Sequence, residues 1–167
     1  MDFEQAKQRI EQWITDFVEK PNPALNNWAP CPYARQARLN NTIAVVPGND
    51  PYFDLVNHWR WGMQGREVVV LVYDSQVVSA DHLENCALMV QVNYLDNKNM
   101  LALTDHPDSP EIINGVSMNQ GQYALIFLQD KTKLNMAAQQ LAHKGYYQDW
   151  PEDYLQGLFA HRQDPRQ

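Results

Sequence analysis

The sequence predicts an α/β fold, a small mixed, mainly parallel four-stranded sheet flanked by helices, in a single domain over residues 1–167. Apolar segments rich in β-branched residues alternate with segments of helical spacing, which is typical of βαβ units and parallel sheets. The segment "REVVVLVY" (66–73) is apolar without alternation, as expected for a central strand that is covered on both faces. The length of the chain and its 44% hydrophobic content allow a core of ordinary size.

Helices are predicted where apolar residues recur at helical spacing and where capping residues or prolines mark the ends. An amphipathic helix over 2–19 is followed by the irregular linker "KPNPALNNWAP" (20–30). A short second helix begins at Pro32, since proline suits the first helical position, and ends near Leu39. The remaining predicted helices cover 51–62, 80–95, a segment that starts at Asp130 or Thr132 and ends at Gly145, and a segment after Pro151.

The strands are predicted from four apolar segments, which cover 42–46, 66–73, 100–104 and 123–129. No helix is evident between the third and the fourth of these, where residues 105–122 form a long polar connection. A parallel neighbour needs a crossover segment, which is usually a helix. We therefore expect the fourth strand to return antiparallel.

The net charge of −7 argues against general nucleic-acid binding, because that function needs Lys and Arg side chains to neutralise phosphates. It disfavours anionic membranes for the same reason. The N-terminus has neither a basic start nor a long apolar run, so we expect no signal peptide. With only two cysteines, Cys31 and Cys86, the chain has no disulfide framework, and a cytoplasmic location is expected.

Polar residues follow the predicted strands where ligands usually bind in parallel α/β sheets, beyond the carboxyl ends. Asp74 follows the second strand, and Asp105 and His106 follow the third. The short helix enters the first strand through a tight connection, so its beginning should lie near the carboxyl end of that strand. The sequence therefore predicts that Cys31 shares this edge with the aspartates and the histidine.

The position of Cys31 before a helix has a chemical consequence. A helix N-terminus carries partial positive charge and free N–H groups, which stabilise a thiolate and lower the pKa of a cysteine. Arg35, one turn further on, would add to this effect. Cys31 would then be reactive, or bind a ligand or a metal. The alternative is that Cys31 is a small buried residue that packs against the start of the helix.

The segment "DHPD" (105–108) also has two interpretations. In the first, Cys31, His106 and Asp105 form a catalytic site in which Cys31 is the nucleophile and His106 the base. The same three side chains would equally suit a metal. In the second, which we favour for this segment considered alone, the aspartates and the proline form a polar turn that ends the strand.

The leading functional hypothesis is a small-molecule-binding protein, or a thiol- or metal-dependent enzyme of unknown substrate. Tyr33, Arg35 and Asp74 would bind the substrate, with Tyr33 and Arg35 orienting an anionic group. The chain contains none of the common nucleotide or zinc-protease motifs, and the sequence leaves the identity of any cofactor open. The alternative is a non-enzymatic interaction or accessory protein that contacts a protein partner through its acidic surface and a C-terminal aromatic cluster. The members of that cluster are Tyr146, Tyr147, Trp150 and Tyr154.

The segment "CPYARQARL" (31–39) resembles the thiol motif of glutaredoxins and omega-class glutathione transferases. In those families the cysteine follows a strand and opens a helix of a thioredoxin-like fold, and the resemblance implies glutathione-linked thiol chemistry. Over most of its length the chain is also similar to an uncharacterised bacterial family with Cys-Pro-Phe-Ala and His-Pro motifs. The residues that match are Cys31, Pro32, Tyr33, Ala34, His106, Pro107 and 123–128. This second resemblance implies that the two motifs occur together, but it implies no activity.

Overall fold

The computed structural model describes residues 1–167 and contains six α-helices and six strands. The helices are α1 (Phe3–Trp13), α2 (Ala34–Leu39), α3 (Pro51–Trp61), α4 (Ala80–Asn93), α5 (Lys131–His143) and α6 (Glu152–Leu158). The strands are β1 (Ile43–Pro47), β2 (Val68–Tyr73), β3 (Met100–Asp105), β4 (Ile112–Ile113), β5 (Val116–Ser117) and β6 (Ala124–Asp130). A π-helical turn over Ile14–Val18 continues α1. No helix is both long enough and apolar enough to cross a membrane.

Four of the strands form one mixed sheet in the order β1-β2-β6-β3. The α/β class is confirmed, but the expectation of a mainly parallel sheet is wrong. Only β1 and β2 pair in parallel, and β6 is antiparallel to both of its neighbours. The reason lies in the connection after β3, which contains no crossover helix, so the chain turns back and inserts β6 between β2 and β3. The antiparallel return of the fourth strand is thereby confirmed.

The connection between β3 and β6 contains a two-stranded hairpin, β4–β5, that was not predicted. Its turn is formed by Asn114 and Gly115, which both have positive φ angles, 51° and 81°. Asn-Gly is the strongest short signal for a hairpin turn, because these two residues tolerate the left-handed region. The signal is present in "IINGVS", but each strand is only two residues long.

The sheet has a helical layer on each face. One face packs against α3 and α4 in the larger core, which includes Leu55, Leu71, Leu83, Val90 and Ile126. The opposite face packs against α1 in a second core, which includes Ala6, Ile10, Val70, Val72 and Leu125. A third, separate cluster lies in the C-terminal segment and includes Ala138, Leu141, Tyr146, Tyr147 and Phe159.

The helices begin where side chains satisfy their first N–H groups. Ser79 accepts from the N–H of His82, and Asp130 accepts from the N–H of Lys133, as the capping residues predicted. Helix α2 is different, because it begins at Ala34 and not at Pro32. Cys31 lies outside the helix in a turn closed by the Ala34 N–H, which donates to the Cys31 carbonyl at 3.1 Å.

Candidate functional site: an apolar cleft

A cleft of about 810 Å³ lies between the α1 face of the sheet and the C-terminal segment, and 26 of its 42 lining residues are hydrophobic. Its floor is the sheet itself, where Val70, Phe127 and Leu103 lie side by side across three strands. The walls come from the α1 end of the chain and from α5 and α6. Lining residues in these walls include Trp13, Phe17, Leu134, Ala137, Tyr154 and Leu158.

The floor of the cleft is apolar but incompletely covered. Phe127 and Leu103 are only half-buried, although both lie within the sheet. For Phe127 the strand neighbours that face the other layer, Ile126 and Leu128, are both 0% exposed. Trp13 of α1 lies against Phe127, with their ring centres 6.2 Å apart, so the helices cover this apolar surface only in part.

Cys31 lines this cleft, but its thiol pKa is shifted in the direction opposite to the one that its position predicts. The residue is half-buried, and its backbone N–H donates to the Val18 carbonyl at 2.9 Å. Burial raises the pKa of the thiol, and this effect outweighs the backbone N–H groups of Tyr33 and Ala34 and the charge of Arg162. The prediction of a lowered pKa is therefore wrong. Because α2 begins only at Ala34 and is six residues long, it supplies little of the expected dipole.

The bend around Cys31 is anchored to the C-terminal segment through two tyrosine hydroxyls. Tyr33 donates a hydrogen bond to the carbonyl of Ala137 in α5. Tyr146 donates to the carbonyl of Pro30 at 2.6 Å. Tyr33 lines the cleft, but its hydroxyl is already engaged in this structural contact. Arg35 is exposed and does not line the cleft.

His106 is 1% exposed and both of its ring nitrogens have partners. Nδ1 accepts from the backbone N–H of Asp108 at 3.0 Å, which places the proton on Nε2. Nε2 then donates to the carbonyl of Val78 at 2.9 Å. The N–H of Ser109 donates to the carbonyl of His106 at 3.0 Å and closes the turn. This arrangement favours the interpretation of "DHPD" as a polar turn.

Asp105 is buried and its carboxylate is held on both oxygens. Oδ1 accepts from the side-chain amide of Asn119 at 2.9 Å, and Oδ2 accepts from the backbone N–H of Gln120 at 2.8 Å. Burial raises the pKa of Asp105, and the two hydrogen bonds oppose that rise. Asp74 lies elsewhere, with its Oδ2 atom 3.5 Å from the N-terminal ammonium group of Met1.

The predicted site residues are thus divided between different surroundings. Cys31, Tyr33 and Asp105 line the cleft, whereas Arg35, Asp74 and His106 do not. The hydrogen-bond partners of the two residues differ, since Cys31 is bound to Val18 and Ala34 and His106 to Val78 and Asp108. No three His, Cys, Asp or Glu side chains are placed so that they would hold a metal ion.

The cleft also contains a charged residue that sequence reasoning missed, Arg162. Two of its guanidinium nitrogens, Nε and Nη1, are buried and have no hydrogen-bond partner. The guanidinium stacks on Phe159, with Cζ 4.6 Å from the centre of the ring. Burial lowers the pKa of Arg162, an effect that the hydroxyl of Tyr147 opposes. Nothing in the tail "FAHRQDPRQ" marks this arginine, because a single polar position carries no periodic signal.

A second polar group in the lining is acidic. Glu111 accepts a hydrogen bond from the hydroxyl of Tyr154 at 3.0 Å. Burial raises the pKa of Glu111, and the nearby carboxylates of Asp105 and Glu84 raise it further. The cleft therefore contains both a buried cation and a group of carboxylates.

Comparison of the chain with protein-family models, with curated proteins and with solved structures gives no significant match. The structure adds one fact to the resemblance with glutaredoxins. The first strand of the sheet, β1, comes after Cys31, so no strand of the sheet precedes this cysteine.

Proposed function

We propose that the protein binds a mainly apolar small molecule in the cleft between the sheet and its C-terminal segment. The observation that carries this proposal is the open apolar floor formed by Phe127 and Leu103. Ligand sites are typically concave, mostly apolar and about 300–1,000 Å³ in volume. A ligand that covers this floor gains about 25 cal/mol for each Å² of apolar surface removed from water.

Binding has more support than thiol catalysis at this site. A nucleophilic cysteine needs a depressed pKa or an adjacent base, and burial moves the pKa of Cys31 in the opposite direction. His106 uses both ring nitrogens, and Asp105 uses both carboxylate oxygens, in contacts that hold the turn after β3. These side chains are therefore engaged in structure, and the reactivity of Cys31 stays a prediction.

The alternative of a protein partner bound by the aromatic cluster has less support. Tyr146 and Tyr147 are only 5% and 7% exposed, and they pack with Leu155 and Phe159 in a core of their own. Cys31 and Cys86 are free thiols, which suits the cytoplasmic location that we propose.

The proposal is tested with the neutral fluorescent probe N-phenyl-1-naphthylamine, whose emission rises in an apolar site. We expect saturable binding, with amide NMR shifts concentrated at Leu103 and Phe127. Gly157 lines the cleft, and a Cβ atom added there meets nothing within 4 Å, so Gly157→Ala is accommodated and Gly157→Phe starts from an open Cβ position. Gly157→Phe should narrow the cleft and weaken probe binding, whereas Gly157→Ala is the matched control.

The expected loss for Gly157→Phe is about tenfold in affinity, which corresponds to burial lost over part of the probe. Unchanged affinity in Gly157→Phe together with NMR shifts outside the sheet floor would overturn the proposal. An absence of saturable binding in the wild-type protein would overturn it as well.

A further inference from the structure

This inference rests on the proposed function and names the class of ligand. We propose that the cleft binds an organic monocarboxylate, and that Arg162 binds its carboxylate group. The starting observation is that Arg162 lines the cleft with two buried guanidinium nitrogens, Nε and Nη1, that have no hydrogen-bond partner, while the hydroxyl of Tyr147 is the polar group closest to the guanidinium. Buried polar groups in native proteins are nearly always hydrogen-bonded, so each exception needs an explanation.

The carboxylates near Arg162 in the sequence are already taken by another arginine. Arg166 binds Asp164 at 2.6 Å and Glu152 at 2.7 Å. Arg162 itself forms no ion pair with any carboxylate of the chain. The C-terminal segment thus pairs the guanidinium of Arg166, whereas no carboxylate lies within ion-pair distance of Arg162 and Asp164 acts on it only from farther away.

The other neighbours of Arg162 do not supply a negative charge either. An arginine stays protonated in a protein, so the guanidinium needs an anion when it is withdrawn from water. Burial keeps the Cys31 thiol neutral by raising its pKa. It also raises the pKa of Tyr147 to about 12, so this hydroxyl is neutral at physiological pH. The missing anion is therefore expected from the ligand.

The surroundings favour a single negative charge on an apolar body. The aromatic ring of Phe159 covers the guanidinium, and the cleft floor is formed by Phe127 and Leu103. Asp105 and Glu111 line the same cleft, and neither supplies a positive charge to balance the second negative charge of an anion such as a phosphate monoester. Arginine also matches the planar carboxylate particularly well. These features together select a monocarboxylate with an aliphatic or aromatic tail.

The experiment compares decanoate with 1-decanol, which has the same chain length and no charge. Each compound displaces N-phenyl-1-naphthylamine from the full-length protein at pH 7.5, so the dissociation constants come from one assay. We expect decanoate to bind about tenfold more tightly than 1-decanol, the effect of a charge-assisted hydrogen bond. Decyl phosphate tests the effect of a second negative charge on the ligand, and it should bind more weakly than decanoate.

Arg162→Met keeps an apolar side chain of similar length against Phe159 and removes the charge. This variant should lose the preference for decanoate and retain 1-decanol. Arg162→Lys should retain part of the preference, since it keeps the charge. Arg35→Met is the matched control, because Arg35 is exposed and lies outside the cleft. It should leave both dissociation constants unchanged, and circular dichroism confirms that each variant is folded.

The outcomes separate the two proposals. If the wild-type protein binds the neutral probe but binds decanoate no better than 1-decanol, the carboxylate inference is overturned and the binding function stands. This comparison needs no variant, so it holds even where Arg162→Met does not fold. A preference for decanoate that survives in Arg162→Met, or one that is lost in Arg35→Met, would overturn the assignment to Arg162. If neither the probe nor decanoate binds, the binding function itself fails.

Discussion

Gln91 closes the outer edge of the sheet, and replacing it with leucine should destabilise the protein. The side chain lies on α4 and is 2% exposed. Its Oε1 atom accepts from the N–H of Ala102 at 2.9 Å, and its Nε2 atom donates to the carbonyl of Met100 at 3.0 Å and to Asp96 at 2.8 Å. Because β3 is the last strand of the sheet, these two backbone groups have no neighbouring strand to pair with.

Gln91→Leu has a similar volume, so its main effect is to leave the Ala102 N–H and the Met100 carbonyl without a partner. A buried donor without a hydrogen-bond partner lowers the free energy of unfolding by about 1–3 kcal/mol. A buried carbonyl without a partner lowers it by less, because unpaired carbonyl groups are tolerated somewhat better than unpaired N–H groups. Asp96 keeps its contact with Lys131 at 2.6 Å, so that carboxylate adds little. We expect a loss of about 2 kcal/mol in the free energy of unfolding.

Urea unfolding followed by circular dichroism measures this change. With an m value of about 2 kcal/mol/M, a loss of about 2 kcal/mol lowers the midpoint by about 1 M. Gln139→Leu is the control, because Gln139 is an exposed residue of α5 and surface changes usually stay within about 0.5 kcal/mol. If Gln91→Leu shifted the midpoint no more than the control did, the argument that Gln91 satisfies the strand edge would be refuted.

Two further predictions concern His106 and Cys31, which the sequence predicts to be catalytic. His106→Ala should lower the free energy of unfolding by about 2–4 kcal/mol, because it leaves a cavity and removes the hydrogen-bond partner of the Val78 carbonyl and of the Asp108 N–H. Urea unfolding measures this change, and a midpoint equal to that of the wild type would contradict the prediction. Cys31 should react slowly with iodoacetamide at neutral pH, and its rate should keep rising through and above pH ~8.5, the ordinary cysteine value, because burial raises its pKa. The rate is measured in a Cys86→Ser background, and a rate that levels off at or below neutral pH would show that the thiol is activated after all.

The elements of the fold were predictable because they depend on local patterns. The run 66–73 and the segment 123–129 became β2 and β6 to within two residues at each end, and Ser79 and Asp130 cap helices as their positions indicated. The order of the strands was harder to predict from the sequence, because antiparallel pairing on both sides of β6 depends on how the connection 105–122 folds back. That depends on contacts between residues far apart in the chain.

The candidate site was predicted less well, for two physical reasons. The expected activation of Cys31 relied on a helix dipole, but the turn 31–33 delays the helix, and burial of the sulfur is a tertiary effect that no local pattern reports. Arg162 was missed because its importance comes from what surrounds it in space. An arginine beside Asp164 in a polar tail suggests a solvated ion pair, whereas that aspartate pairs with Arg166.

The cleft results from the width of the sheet and from the two separate helical segments that cover its α1 side. Inserting β6 between β2 and β3 makes the sheet wider than α1 can cover, since α1 packs over Val70 and Val72 near the β1 side. The C-terminal segment forms a core of its own and is joined to the bend before α2 through Tyr33 and Tyr146. Helix α1 and the C-terminal segment therefore border a gap and do not form one continuous core. A ligand bound in that gap would contact both of them, and because binding stabilises the conformation that binds, it would also hold the C-terminal segment against the sheet.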